Sequence, residues 1–411
     1  MGRAMRLVLI CPHYAPDLAP TGEVMTSIAD QLIARGHRLH VITSLPWYQH
    51  HRIELGWSGQ AVRHEDTPWG RITRVHPFPT DKHNIPARAM AFAGFTALAG
   101  AAGLLTQSRP HGVLAMSPPL TLGAAGWIAA HVRGVPFVFN IQDVFPDVAV
   151  ELGAITNPEV IRAASWLERV TYRHADVVTV LSEDLRDNVA AKLGRHDGTA
   201  VEVIPNFIDT DWIRPLSREN AYRAEHGLTA KTVVMYAGNV GLSQSLDLLL
   251  AAATALANDP DVVFVVNGGG SARERLREQA RGLPNVRFVD MQPKVRLPEV
   301  LAAGDIHVVP LKAGLARSSV PSKLYSILAA GRPIVASVDP GTEVARTVEL
   351  AGAGLTVAPD DPEAFTQAIV RLVAGPADAA AMGRAGRAFV EGWASPAAVA
   401  EAYERLFLGL S

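Results

Sequence analysis

The stretch TVVMYAGNVGLSQSLDLLLAA, Thr232 to Ala252, decides the fold. It opens with an apolar run from Thr232 to Ala237 that reads as a buried strand. Gly238 and Gly241 follow at once, then Ser243 and Ser245 as candidate caps, and then an apolar pattern suited to a helix. A strand, a glycine loop and a helix in that order form half of a strand-helix-strand unit, whose strands must lie parallel.

Outward from this stretch the same alternation covers most of the chain. On the N-terminal side strands are predicted at Arg6 to Ile10, Leu39 to Thr43, Ile72 to His76, Gly112 to Met116, Phe137 to Ile141, Val177 to Leu181 and Val201 to Ile204. The second series holds Thr232 to Ala237, Val262 to Val266, Val286 to Val289, Ile306 to Pro310, Pro333 to Ser337 and Leu355 to Ala358. Between them IPNFIDTDWIRPL is irregular and carries proline, so a hinge is predicted near Asn206 to Pro215. The expected fold is α/β, two Rossmann-like doubly wound parallel-sheet domains. Their expected spans are 1–208 and 209–390, with a helix at 391–411 crossing back onto the first.

Composition limits what such a chain does. Its 411 residues suffice for two or three domains, and 48% hydrophobic with 19% charged residues is a globular balance. Lys and Arg total 38 against 40 Asp and Glu, a net charge of −2, which supplies no field for duplex nucleic acid. Cys11 is the only cysteine, so no intrachain disulfide forms and a cytoplasmic setting is expected. The uncharged run AMAFAGFTALAGAAGLLT, Ala89 to Thr106, is read first as a helix in or near the core, second as one that also touches a bilayer surface, and last as a span.

In open parallel sheets ligands bind outside the carboxyl ends of the strands, where helix N-termini also point. The loops at that rim are therefore the candidate chemistry. Gly238 to Gly241 and the NGGGS loop with Gly268 and Gly269 let a backbone approach a phosphate, although each is also compatible with a plain tight turn. NGGGSAR is no dinucleotide fingerprint, because Arg273 stands where the third glycine belongs. In SSVPSKLYSILAAGRP, Ser319 can cap, Pro321 suits the first helical position, and Ser322, Lys323 and Leu324 follow. A lysine in a first turn opposes the helix dipole, so either a bound diphosphate compensates Lys323 or the side chain is simply solvated. In QDVFPD, Gln142 and Asp143 end a buried strand; Asp143 either orients an acceptor hydroxyl or caps. His13, Tyr14 and the loop through Gly22 lie at the same rim, with a structural histidine as the alternative. The acidic pairs at Asp209 and Asp211 and at Asp259 and Asp261 lack neighbouring ligands, so no metal site is expected.

The succession HYAPDLAPTGE, NIQDVFPDVAVELG, VIPNFID, YAGNVGLSQSLDLLLAA, NGGGSARERL, VVPLKAG and VPSKLYSILAAGRPIVAS resembles the retaining glycosyltransferases of family four. Within that family it is most similar to the bacterial surface-polysaccharide group with the colanic acid and N-acetyl-L-fucosamine transferases. The resemblance implies a GT-B architecture without cofactor or metal, the second domain taking a UDP- or GDP-sugar and the first a lipid-linked saccharide. It also implies a cytoplasmic enzyme at the inner face of the membrane. Asn239 and Gln244 replace the family's cationic pair, which leaves Lys323 to supply the charge. Ser318 and Ser326 stand where its two glutamates belong, with Glu343 as the nearest acidic substitute. Two other functions fit the same plan: a nucleotide-sugar 2-epimerase, and a catalytically inactive binding subunit.

Overall fold

A computed structural model describes residues 4–80, 85–106, 109–147, 150, 155–194, 198–241, 243–314 and 323–410. Two compact units divide the chain, one of Met1–Asn206 with Pro396–Ser411 and one of Phe207–Ser395.

The first unit is built on β1 (Arg6–Ile10), β2 (Arg38–Ser44), β3 (Val62–Thr67), β4 (Gly70–Val75), β5 (Gly112–Ser117), β6 (Phe137–Ile141), β7 (Val177–Val180) and β8 (Ala200–Val203). Their order across the sheet is β3-β4-β2-β1-β5-β6-β7-β8. β5 and β6 are buried along their whole length, as strands covered by helices on both faces must be. β3 is antiparallel to β4 and escapes the sequence reading. Its residues VRHEDT are polar and only half-buried in alternation, the pattern of an edge strand and not of a core one. The order reverses between β1 and β5, which puts the topological switch point there.

The second unit holds β9 (Thr232–Ala237), β10 (Val262–Asn267), β11 (Val286–Val289), β12 (Ile306–Pro310), β13 (Ile334–Ser337) and β14 (Gly354–Val357). All pairs are parallel and the order is β11-β10-β9-β12-β13-β14, the Rossmann arrangement, with its switch point between β9 and β12.

The helix Ile85–Leu104 packs on Leu122–His131 through small residues: a Cβ at Gly100 would stand 3.6 Å from Ala125, and one at Gly103 3.1 Å from Ala129. Among the described residues no helix is long and apolar enough to cross a membrane. The last two helices part company. Pro376–Trp393 stays in the second unit, where Arg387 donates to the carbonyls of Ile213 and Ala329, each at 2.8 Å. Pro396–Leu410 belongs to the first, and Phe407 is fully buried beside Gly112, a contact of about 1.5–3 kcal/mol. On the same helix Tyr403 accepts from Asn140 at 2.9 Å, and Glu404 meets the Arg35 guanidinium at 2.5 Å.

Candidate functional site

β9 and β10 end level, with Ala237 opposite Asn267, so the glycine loops behind them run side by side. The amide of Gly238 donates to the Asn267 carbonyl at 2.9 Å, and that of Val240 to the Gly269 carbonyl at 2.8 Å. The approach is so close that a Cβ on Gly268 would lie 1.9 Å from the Gly238 oxygen. Gly268 also has a φ of +154°, so nothing but glycine fits without a backbone shift. This revises which donors face a ligand. The Gly238 and Val240 amides are engaged within the protein, and the Gly241 amide donates to Gln244 Oε1 at 2.9 Å, while Gln244 Nε2 donates to Ser243 Oγ. Among the described residues Asn239, Gly269 and Gly270 keep amides without a partner, and Asn239 is exposed.

Lys323 opens the helix Lys323–Ala329 behind β12, on the other side of the switch point. Its Nζ donates to Tyr236 Oη at 2.8 Å and lies 4.3 Å from the centre of that ring. Tyr236 Oη in turn donates to the Asn239 carbonyl at 2.5 Å. A Cβ on Gly238 would be 3.6 Å from Nζ, so the ammonium sits directly against the glycine turn. Among the described residues no carboxylate pairs with it. Burial pushes its pKa down to about 8, because the charged form is poorly hydrated there. A half-buried cation with no anion among the described residues, beside amides that none of them accepts from, at a switch point, is an arrangement suited to a phosphate-bearing ligand.

The neighbouring loops are tied by carboxylates that the sequence reading passes over. Asp360, held in the left-handed region at φ +56°, takes the Ser245 hydroxyl on one oxygen and the Ala313 amide, at 3.3 Å, on the other. Asp339 accepts from the Gly314 amide at 2.7 Å. Glu343 is buried at the start of its helix, where Arg346 at 3.1 Å and Thr347 at 3.4 Å hold its two oxygens. Leu324 is buried in the core under Lys323. Ser319, Pro321 and Ser322 lie outside the described residues.

In the first unit the rim behind β1 is filled by side chains. His13 Nδ1 meets Asp17 Oδ2 at 2.7 Å, and both residues are buried. The other oxygen of Asp17 accepts from the amides of Trp47 and Tyr48, at 3.3 and 3.0 Å. Those two rings flank the imidazole with centroids 5.7 and 5.0 Å away. Gly22 permits this, since a Cβ there would reach within 2.9 Å of His13 Cβ. Arg74, fully buried, fixes the same loop by donating to the Ala15 carbonyl at 2.6 Å.

Two of the residues expected to meet an acceptor are buried. Tyr14 is only 4% exposed and its ring belongs to the core. Gln142 is buried with both ends of its amide engaged, donating to Asn140 Oδ1 at 2.7 Å and accepting from Asn206 Nδ2 at 2.9 Å. Asp143 is exposed at the end of β6, and partial burial of its carboxyl raises its pKa. Asp147 is paired with Lys192 at 2.8 Å. Among the described residues no three His, Cys, Asp or Glu side chains are grouped to hold a metal ion.

Residues 21–206 match the family profile described as "Glycosyl transferase 4-like domain", and 231–375 the one described as "Glycosyl transferases group 1". The chain is 27% identical over 378 residues to the putative colanic acid biosynthesis glycosyl transferase WcaI of Escherichia coli K12, covering 89% of this chain and 91% of that one. Among solved structures it is similar to Anabaena HepE in complex with UDP, with a TM-score of 0.65, 15% identity and coverage of 99% and 100%. It is similar also to the sucrose-phosphate synthase of Thermosynechococcus elongatus, with a TM-score of 0.64, 20% identity and 99% of each chain covered.

Proposed function

The chain belongs to the GT-B glycosyltransferases with a glycosyl transferase 4-like and a group 1 domain, and from that premise we propose a specific reaction. It transfers a hexose or deoxyhexose, with retention, from a UDP- or GDP-sugar to a hydroxyl of a lipid-linked saccharide in cell-surface polysaccharide assembly. It does so in the cytoplasm, at the inner face of the membrane. The observation that carries the reading is Lys323, an ammonium held against Gly238 that pairs with no carboxylate among the described residues. The UDP bound by HepE and the colanic acid role of WcaI support it.

In the proposed reaction the bond between the anomeric carbon and the diphosphate oxygen breaks while the acceptor oxygen bonds to that carbon on the same face. The acceptor proton passes to the departing phosphate. Charge grows on the diphosphate as it leaves, and Lys323 with the amides of Asn239, Gly269 and Gly270 answers it from fixed positions. Asp143 and His13 position the acceptor hydroxyl, and no step uses a metal ion.

The test is incubation with a panel of UDP- and GDP-sugars, with and without a detergent-solubilised bacterial lipid-linked saccharide fraction, read by mass spectrometry and by the anomeric configuration of the product. Sugar added to the lipid-linked fraction together with released nucleoside diphosphate is expected. An altered sugar nucleotide without acceptor would mean an epimerase. No calorimetric binding of UDP or GDP would mean a subunit without donor chemistry.

A further inference from the structure

The first unit carries an open pocket of about 1020 Å³ at the end of its sheet opposite His13 and Asp143. It is lined by the residues that start the strands, among them Arg6 on β1, Arg38 on β2 and Gly70 on β4, and several of them face solvent. Its volume matches the upper end of small-molecule pockets.

Its walls are of two kinds. One is a stripe of the helix Ile85–Leu104 and its extension, Leu98, Ala101, Ala102 and Leu105, at the spacing of a single helix face. Leu98 and Ala102 rest against the core of the unit, while Ala101 and Leu105 face solvent, so the stripe leads from the core to the surface. The strand side mixes apolar residues with Arg6, Arg38, Arg71, His64 and His111 against one carboxylate, Asp66, which Arg71 holds at 2.7 Å, while Arg6 donates to the Arg109 carbonyl at 3.1 Å. His40 lies between the walls, its two nitrogens 2.8 Å from the hydroxyls of Thr73 and Thr106. Burial first and the Arg71 charge second push its pKa down to about 4, in keeping with a surplus of positive charge around it. The described lining includes no Phe, Tyr or Trp to stack a base.

The apolar stripe does not end inside. Leu105 is 79% exposed at its end, and Arg133 donates to the carbonyls of Leu104 and Thr106, which fixes the end of the helix there. Oil-lined on one side, cationic on the other and open onto exposed aliphatic surface, the cavity has the lining of an amphiphile site.

We propose that this cavity binds an anionic amphiphile, with its phosphate or carboxylate head on Arg38 and Arg71 and its acyl chain along Leu98 to Leu105. The site is separate from the transfer reaction proposed above, and its test does not depend on that activity.

The experiment is calorimetric titration of the full chain with dihexanoylphosphatidylglycerol below its micelle concentration, beside dihexanoylphosphatidylcholine and inorganic phosphate. Saturable binding of the glycerol lipid is expected, at least tenfold tighter than either of the others. The double variant Arg38→Ala/Arg71→Ala should lose at least tenfold in that affinity. Ala102→Phe, which fills the cavity, should abolish it; Ala101→Phe replaces it if that variant does not fold, as judged by circular dichroism. Equal binding of the choline lipid would overturn the charged head, and equal binding of phosphate would overturn the acyl chain. No binding, or binding that survives both the charge-removing and the cavity-filling variants, would overturn the site itself.

Discussion

At the rim of the second sheet the main chain does the shaping. Two glycine loops lie against each other, their carbonyls and amides are paired, and a single ammonium from across the switch point rests on the turn. At the rim of the first sheet side chains do it, in two interlocked sets: His13, Asp17, Trp47 and Tyr48, and Asn140, Gln142 and Asn206. A diphosphate is the same in every UDP- or GDP-sugar, the donors proposed here, and backbone groups suit a constant ligand. An acceptor hydroxyl varies from one saccharide to the next, and side chains can be exchanged without rebuilding the fold.

The sharpest way to break this contrast is Lys323→Ala, expected to lower kcat by about 10²–10³-fold, since it removes a preorganised charge where charge develops. Steady-state kinetics alongside a melting curve checks it. Burial lowers the pKa of Lys323 from 10.5 to about 8 in the folded state, so the fold gains stability as pH rises from about 8 to 10.5. Removing the lysine therefore leaves stability at neutral pH unharmed, and a collapse of the fold would count against the assignment.

Next in size is a paired glycine test. Gly268→Ala puts a methyl 1.9 Å from a carbonyl oxygen, whereas Gly269→Ala meets nothing within 4 Å. The first should cost about 2–3 kcal/mol and most of the UDP or GDP affinity, the second well under about 1 kcal/mol. Thermal denaturation and calorimetry read both, and equal effects would mean that the loops are not shaped by mutual contact.

Smaller still, Asp17→Asn should lower kcat/KM about tenfold, or ~1.4 kcal/mol of transition-state stabilisation, with donor affinity unchanged. A drop in donor affinity instead would erase the division of labour between the two rims. UDP or GDP affinity should weaken as pH rises through the Lys323 pKa of about 8, and the Lys323→Met variant should show no such slope there. At the bottom of the scale, EDTA should leave turnover unchanged within about twofold, because the proposed reaction relies on fixed protein donors.

The strands were legible because each is an apolar, β-branched run closed by Gly, Pro or a polar cap. β3 was not, since an edge strand with one solvated face reads as a charged loop. Lys323 stood out through a local conflict, a cation in a first helical turn, which needs only adjacent residues to be noticed. Asp17, Asp339 and Asp360 escaped because each acts on amides 25 to 47 residues away in sequence. Gln142 was placed at the correct rim, but nothing in its own neighbourhood announces Asn206, 64 residues on, as the partner that turns its amide inward. Ser319, Pro321 and Ser322 stand outside the described residues, so their part in the donor loop rests on the family resemblance.

The return of Pro396–Leu410 makes the first unit depend on a segment that follows the whole of the second. Without it the first unit lacks the buried side chains of Tyr403 and Phe407, while the second, Phe207–Ser395, keeps every one of its residues. One half can thus be opened by shortening the other end of the chain. A chain truncated before Pro396 should be cut by protease in its first unit and resist in its second.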